Sequence, residues 1–238
     1  MDNKNIAVIL AGGVGSRLGR ERPKQFYCMA GKTIIEHTID AFERNANIHE
    51  IAVVSNVEYI DEIHRLTAAN AWTKVRKVLP GGKERYESTL AAVNAYADCP
   101  DCNLLLHDAV RPLVSQRIID DVVEALKHYR VVNVAVPATD TIIEVDAGGH
   151  IITAVPERRN LRRGQSPQGF RQSVIAEAYR YALQDPAFVS TEDCGTVAKY
   201  LPHEPIYVVD GEEQNMKLTY PRDIYVLEEL FKINRPVK

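Results

Sequence analysis

The sequence predicts an α/β fold, a doubly wound, mostly parallel Rossmann-like sheet from which a β-hairpin arm protrudes. Three observations predict it. Ile6 to Leu10 is an unbroken apolar run, as a strand covered on both faces requires. Strand-like and helix-like segments then alternate as far as Val136. Beyond that point Thr141–Val145 and Ile151–Val155, both β-rich, flank Asp146-Ala147-Gly148-Gly149-His150 with no helix between them, which signals a hairpin.

The elements follow in order. After a glycine-rich loop, Thr33 to Phe42 places Ile34, Ile35, Thr38, Ile39 and Phe42 on one helical stripe. Ile51–Val54 reads as the second strand and Glu58–Ala69 as the second helix. Val75–Leu79 is a strand stopped by Pro80-Gly81-Gly82, and Glu84–Ala97 the helix after it. Leu104–Leu106, a helix over Gln116–Tyr129 and a strand over Val132–Val136 complete the alternation. Past the hairpin, helices are expected near Ser173–Leu183 and Glu192–Tyr200, a strand at Pro205–Val209, and a last helix from Pro221 to about Ile233. The absence of repeats and of Pro/Ser linkers predicts a single domain over residues 1–238, with the arm at about 138–160.

Composition bounds the function. Hydrophobic residues at 45% and charged residues at 26% are globular proportions. The 29 basic against 32 acidic residues give a net charge of −3, too little positive field for a nucleic-acid partner. No apolar run reaches the roughly 18 residues of a membrane span, and the first residues lack a signal-peptide apolar region, so a cytoplasmic protein is expected. Of the four cysteines, Cys99 and Cys102 have CxxC spacing, but no second ligand pair accompanies them. Two reduced thiols in a surface loop are expected there.

The loop Leu10-Ala11-Gly12-Gly13-Val14-Gly15-Ser16-Arg17-Leu18-Gly19 follows the first strand. Its glycines let backbone amides approach a phosphate or a base. It is neither a Walker A loop nor a dinucleotide GxGxxG, whose sixth position is here Leu18. It adds two cations, Arg17 and Lys24, which suit a triphosphate; a glycine turn with solvated charges is the other reading. Asp108, directly after a buried strand, suits Mg²⁺ or ribose hydroxyls, or else a local salt bridge with Arg111. Arg158, Arg159, Arg162 and Arg163 suit a phosphate monoester, although part of the run reads as solvated charge. Lys217 lies between Met216 and Leu218, which also fits a strand-end lysine with a packed stem.

The glycine loop ending in Pro23-Lys24-Gln25-Phe26 resembles the signature of nucleotidyltransferases that activate sugars and sugar alcohols. It is similar to the cytidylyltransferases acting on methylerythritol 4-phosphate and ribitol 5-phosphate. Four later segments match in order: Gly81–Ser88, His107–Pro112, Gly164–Phe170 and Asn215–Thr219. The resemblance spans essentially the whole chain. It implies CTP as co-substrate, Mg²⁺ as cofactor, and a homodimer formed through the hairpin arm.

Residue by residue, the resemblance implies that Ala11, Gly12, Gly13, Gly82 and Ser88 hold base and ribose. Arg17, Lys24 and Lys217 would be the catalytic cations on the phosphates. Asp108 and Arg111 would border ribose, metal and acceptor, and Thr141, Arg158, Ser166 and Thr191 would bind the acceptor phosphate. Residues at the Thr141 and Arg158 positions reach the site from the partner's arm in that family. Thr139 stands where the methylerythritol-phosphate branch has arginine, and Gly164-Gln165-Ser166-Pro167-Gln168 resembles the ribitol-phosphate branch, so the acceptor leans towards a pentitol phosphate. Lys83 departs from the aspartate that the family frequently has near the base. A nucleotidyltransferase for another sugar phosphate, or a non-catalytic nucleotide-binding module, are the alternatives.

Overall fold

The computed structural model describes residues 3–13, 22–190 and 192–233. Arg17 and Thr191 lie outside the described residues, and so do the expectations that rest on them.

Seven strands form the main sheet: β1 (Asn5–Ala11), β4 (Glu50–Ser55), β5 (Val75–Pro80), β6 (Asn103–Asp108), β7 (Val131–Pro137), β10 (Arg162–Arg171) and β11 (Ile206–Asp210). They lie in the order β11-β7-β10-β6-β1-β4-β5. All neighbouring pairs are parallel except those made by β10, which runs antiparallel to both β6 and β7. The expected apolar runs are the buried strands: Ile6, Ala7, Val8 and Ile9 of β1 expose nothing to solvent. That is the burial an all-apolar run needs, since helices cover both faces.

On one face α1 (Ile34–Glu43), α2 (Ile60–Ala69) and α4 (Gln116–Ala125) pack through Ile35, Ile39, Phe42, Ile63, Ile118 and Val122. On the other, α3 (Arg85–Ala95), α5 (Gln172–Ala182) and α6 (Asp193–Tyr200) pack through Val93, Ile175, Ala178 and Val197. The last helix, α7 (Pro221–Ile233), lays Leu227 on a third cluster with Met29, Ile34, Val110 and Leu218 beside the small hairpin β2 (Cys28–Met29) and β3 (Lys32–Thr33). Thr33 and Glu36 cap α1 reciprocally, satisfying two of the amides that a helix start leaves unpaired.

Two features differ from the sequence expectation. β10 carries Gly, Gln and Pro where strands favour β-branched and aromatic residues, so its pattern hides it. Its pairing with β7 breaks between Gln165 and Gly169, which accommodates Pro167, a residue with no amide to give the ladder. Cys102 is buried in the core rather than lying on the surface, and both it and Cys99 are free thiols. Burial, with the neighbouring Cys99, pushes the Cys102 thiol up to about 12.

The arm is present but its ladder is short, β8 (Glu144–Val145) against β9 (Ile152–Ala154). Gly149 takes the left-handed backbone its turn requires, with φ of 75°. Ile142, Ile143, Val145, Ile151, Ile152 and Val155 are all exposed along it, Ile151 by 66%. No helix among the described residues is long and apolar enough to cross a membrane.

Candidate active site

From β1 the chain builds β4 and β5 on one flank and then returns to place β6 on the other. The loops leaving β1 and β6 therefore diverge at their carboxyl ends, where open α/β sheets accept ligands. A cavity of about 890 Å³ opens there, walled by the loops after β1, β4, β5 and β6. Of the sequence-predicted residues, Ala11, Gly12, Gly13, Lys24, Gly82, Ser88, Asp108 and Lys217 line it together.

The glycine loop is held from below. Gln25, almost fully buried, donates its side-chain amide to the carbonyls of Ala11 (2.7 Å) and Gly13 (3.1 Å). In the sequence Gln25 is simply the residue after Lys24, with no signal of this brace. Opposite, Ser88 Oγ is lodged between two backbones: a Cβ on Gly12 would lie 2.9 Å from it and one on Gly81 2.7 Å. Glycine at both places leaves the hydroxyl and the neighbouring amides facing one small space.

Asp108 is the electrostatic centre. Its Oδ2 lies 3.0 Å from Lys217 Nζ and 3.1 Å from Arg111 Nε, so the local salt bridge and the cavity-lining role occur together. Burial alone would raise the Asp108 carboxyl; Lys217, Arg111 and Arg85 outweigh it and hold the group well below the usual carboxylate range. Arg111 also donates to the Asn215 carbonyl at 2.8 Å. Buried Asn215 in turn donates to the Ser166 carbonyl (2.8 Å) and to Gln165 (3.2 Å), which fastens the Lys217 loop to β10.

Behind Asp108 runs a neutral relay. His107 is fully buried, and its Nε2 lies 3.1 Å from the Arg111 carbonyl, which can only accept; Nε2 therefore carries the proton. Nδ1 then accepts from Ser166 Oγ at 3.1 Å, while Ser166 Oγ accepts from the Asp108 amide at 3.1 Å. Burial, together with Arg111 and Lys217, pushes the imidazole down to about 4. Ser166, expected against the acceptor phosphate, is buried and points its hydroxyl into this relay.

Thr141 and Arg158 do not line the cavity. Both are exposed at the arm, where Arg158 Nη1 donates to the Thr139 carbonyl at 3.1 Å. Arg163 pairs with Glu213 at 2.5 Å, and Arg159 with Glu157 at 2.6 Å, so part of the arginine run is solvated surface. The cavity wall also includes Lys83, Glu84 and Arg85. Cations at Lys24, Lys83, Arg85 and Lys217 against two carboxylates suit a polyanion better than a neutral ligand.

Among the described residues no three His, Cys, Asp or Glu side chains are grouped so as to hold a metal ion by themselves. A magnesium ion usually takes one or two carboxylates plus phosphate oxygens and waters, and Asp108 with Glu84 on the wall fits that donor set.

Residues 5–232 match the family described as IspD: 2-C-methyl-D-erythritol 4-phosphate cytidylyltransferase. The 2-C-methyl-D-erythritol 4-phosphate cytidylyltransferase of Thermobifida fusca (strain YX) is 47% identical over 230 residues, 95% of this chain and 92% of that protein. The bifunctional ribulose 5-phosphate reductase/CDP-ribitol pyrophosphorylase Bcs1 of Haemophilus influenzae is 42% identical over 231 residues, 97% of this chain but 48% of that protein. Among solved structures, the 4-diphosphocytidyl-2C-methyl-D-erythritolsynthase from Anaerococcus prevotii DSM 20548 superposes with a TM-score of 0.85 at 25% identity, covering 98% of this chain and 100% of that one. The chain belongs to the IspD family of cytidylyltransferases.

Proposed function

We propose that the protein transfers CMP from CTP to a sugar-alcohol phosphate and releases pyrophosphate, with ribitol 5-phosphate as the preferred acceptor over 2-C-methyl-D-erythritol 4-phosphate. The observation that carries the reaction is the convergence of Lys24, Lys217 and Asp108 on one cavity with the glycine loop and Ser88. An acceptor phosphate oxygen is an anion near neutrality, so no general base is needed to create the nucleophile. That oxygen attacks the α-phosphorus of CTP in line. The bond from the α-phosphorus to the bridging oxygen breaks, and pyrophosphate leaves with its electron pair.

In this reading Ala11, Gly12, Gly13, Gly82 and Ser88 receive the base and ribose. Arg17, Lys24 and Lys217 stabilise charge on the phosphates, which is positioning and electrostatic catalysis rather than covalent chemistry. Asp108, beside the triphosphate, would hold Mg²⁺, which supplies charge neutralisation to the phosphates when bound. Arg111 orders Asp108, and Ser166 acts through the Asp108 amide.

Thr141 and Arg158, which do not line the cavity of their own chain, serve a partner's site in a homodimer built on the arm. The exposed isoleucines and valines of the arm support that assembly. We read residues 1–238 as one domain, and a CTP-consuming enzyme with free thiols suits the cytoplasm. The preference for a pentitol phosphate rests on Thr139 and on the Gly164–Gln168 segment, and the likeness to Bcs1 supports it.

The test is pyrophosphate release from CTP, UTP, GTP and ATP, with Mg²⁺ and each acceptor. A site built to hydrogen-bond particular hydroxyls should separate the two acceptors by more than ~10² in kcat/KM. Equal use of both would defeat the acceptor assignment. No release with any polyol phosphate would favour a binding module instead.

A further inference from the structure

Arg85, the first residue of α3, lines the cavity, and its side chain remains 32% exposed there. Its Nη1 donates to Asp193 Oδ2 at 2.5 Å. Asp193 is fully buried at the start of α6, and its other oxygen accepts from Tyr179 OH at 2.6 Å. Tyr179 is itself buried, and Tyr86, next to Arg85, packs edge-on against Phe188 with ring centroids 5.2 Å apart. One end of the guanidinium is thus fixed by a buried, doubly bonded carboxylate.

Among the described residues the remaining donors make no further hydrogen bond. A guanidinium carries five N–H groups in a planar fork, and Asp193 engages one nitrogen. Asp108 is close enough to favour the Arg85 charge, yet no hydrogen bond joins the two. Burial opposes that charge; Asp193 and Asp108 outweigh it, so the group is held ionised on a wall it shares with Lys24 and Lys217. An ion pair that served only to brace α6 against α3 would have no need of a half-open face on this cavity. Forks of this geometry match the paired oxygens of a phosphate.

We propose that Arg85 is a further substrate-binding residue of this site, taking a phosphate oxyanion in its fork while Asp193 and Tyr179 hold the fork in place. The identity of that phosphate rests on the cytidylyltransferase reading: it is either one of the nucleotide's phosphates or the acceptor monoester.

The experiment measures binding by calorimetry on the full chain, with inorganic pyrophosphate and with ribitol 5-phosphate as probes. Arg85→Lys keeps a cation for Asp193 but loses the fork, and the pair Arg85→Gln with Asp193→Asn removes both charges without leaving one buried alone. Both variants should melt with the wild type and lose about 10–100-fold in affinity for at least one probe, the scale of a charge-assisted hydrogen bond. A loss confined to pyrophosphate assigns the fork to the nucleotide, and one confined to ribitol 5-phosphate to the acceptor. Folded variants that bind both probes as tightly as wild type overturn the proposal and leave Arg85 a brace. If the double variant does not fold, Arg85→Lys decides alone. Wild-type protein that binds both probes but releases no pyrophosphate from CTP defeats the cytidylyltransferase reading, while the affinities still decide Arg85.

Discussion

His107 Nδ1 accepts a hydrogen bond from Ser166 Oγ, and that single contact ties the centre of the sheet to the carboxylate at its edge. The Ser166 oxygen is in turn the acceptor for the Asp108 amide, so the histidine sets where Asp108 stands without touching any ligand. The pair works only while the imidazole is neutral.

Protonation of His107 gives the first prediction. Its pKa is pushed from an ordinary 6.5 to about 4 in the fold, so between those values the unfolded chain binds more protons. Stability is therefore complete above about pH 6.5 and declines as pH falls towards 4, by roughly 3 kcal/mol from this residue. Chemical denaturation of wild type and His107→Gln across pH 4–7 checks the sign. A wild type with no such slope, or a variant that keeps it, argues against the relay.

Lys24 and Lys217 supply the second. Truncation of either to alanine should reduce turnover by at least ~10²-fold, the scale of removing one preorganised donor. In Lys217→Ala the Asp108 carboxyl keeps only Arg111 at its Oδ2 among the described residues. The carboxyl pKa should therefore rise towards the ordinary range, measurable by carbon-13 NMR. Near-wild-type pyrophosphate release in either variant would sink the assignment.

Gly82→Ala makes a third case. An added Cβ would stand 2.2 Å from Glu87 Cβ and 2.5 Å from its carboxylate. Glu87 closes the capping box of α3 by accepting from the Glu84 amide at 2.9 Å. The substitution should cost about 1–3 kcal/mol through displaced packing and a lost cap. Urea melts would report it, and an unchanged midpoint would show that the loop yields freely.

The arm carries the fourth. Ile151→Asp with Ile152→Asp places charge on two of its most exposed apolar side chains. Sedimentation should show wild-type dimers and variant monomers, with the fold intact by circular dichroism. A wild type that sediments as a monomer at all concentrations would remove the arm from the dimer proposal.

Much of this was legible in the residues. Ile6–Ile9 and Leu104–Leu106 read as buried strands because no polar face exists along them, and the glycines after β1 suited a close approach of backbone to ligand. Arg85 was hidden because its meaning depends on Asp193, a residue 108 positions away whose burial no local pattern encodes. The bond from Ser166 to His107 was hidden for a related reason. A serine in a Gly-Gln-Ser-Pro-Gln segment looks like a loop ligand until β10 is seen to pass between β6 and β7.

The placement of β10 also governs which length changes the chain can tolerate. Residues added at the Gly148–Gly149 turn would lengthen the arm tip and leave everything else where it is. One residue inserted between Arg162 and Ser166 would shift the strand by a single pleat, turning Ser166 from His107 towards the opposite face. Relatives that diverge in the reach of their arms should therefore keep an invariant spacing from Gly164 to Phe170, because that stretch sets Ser166 against His107.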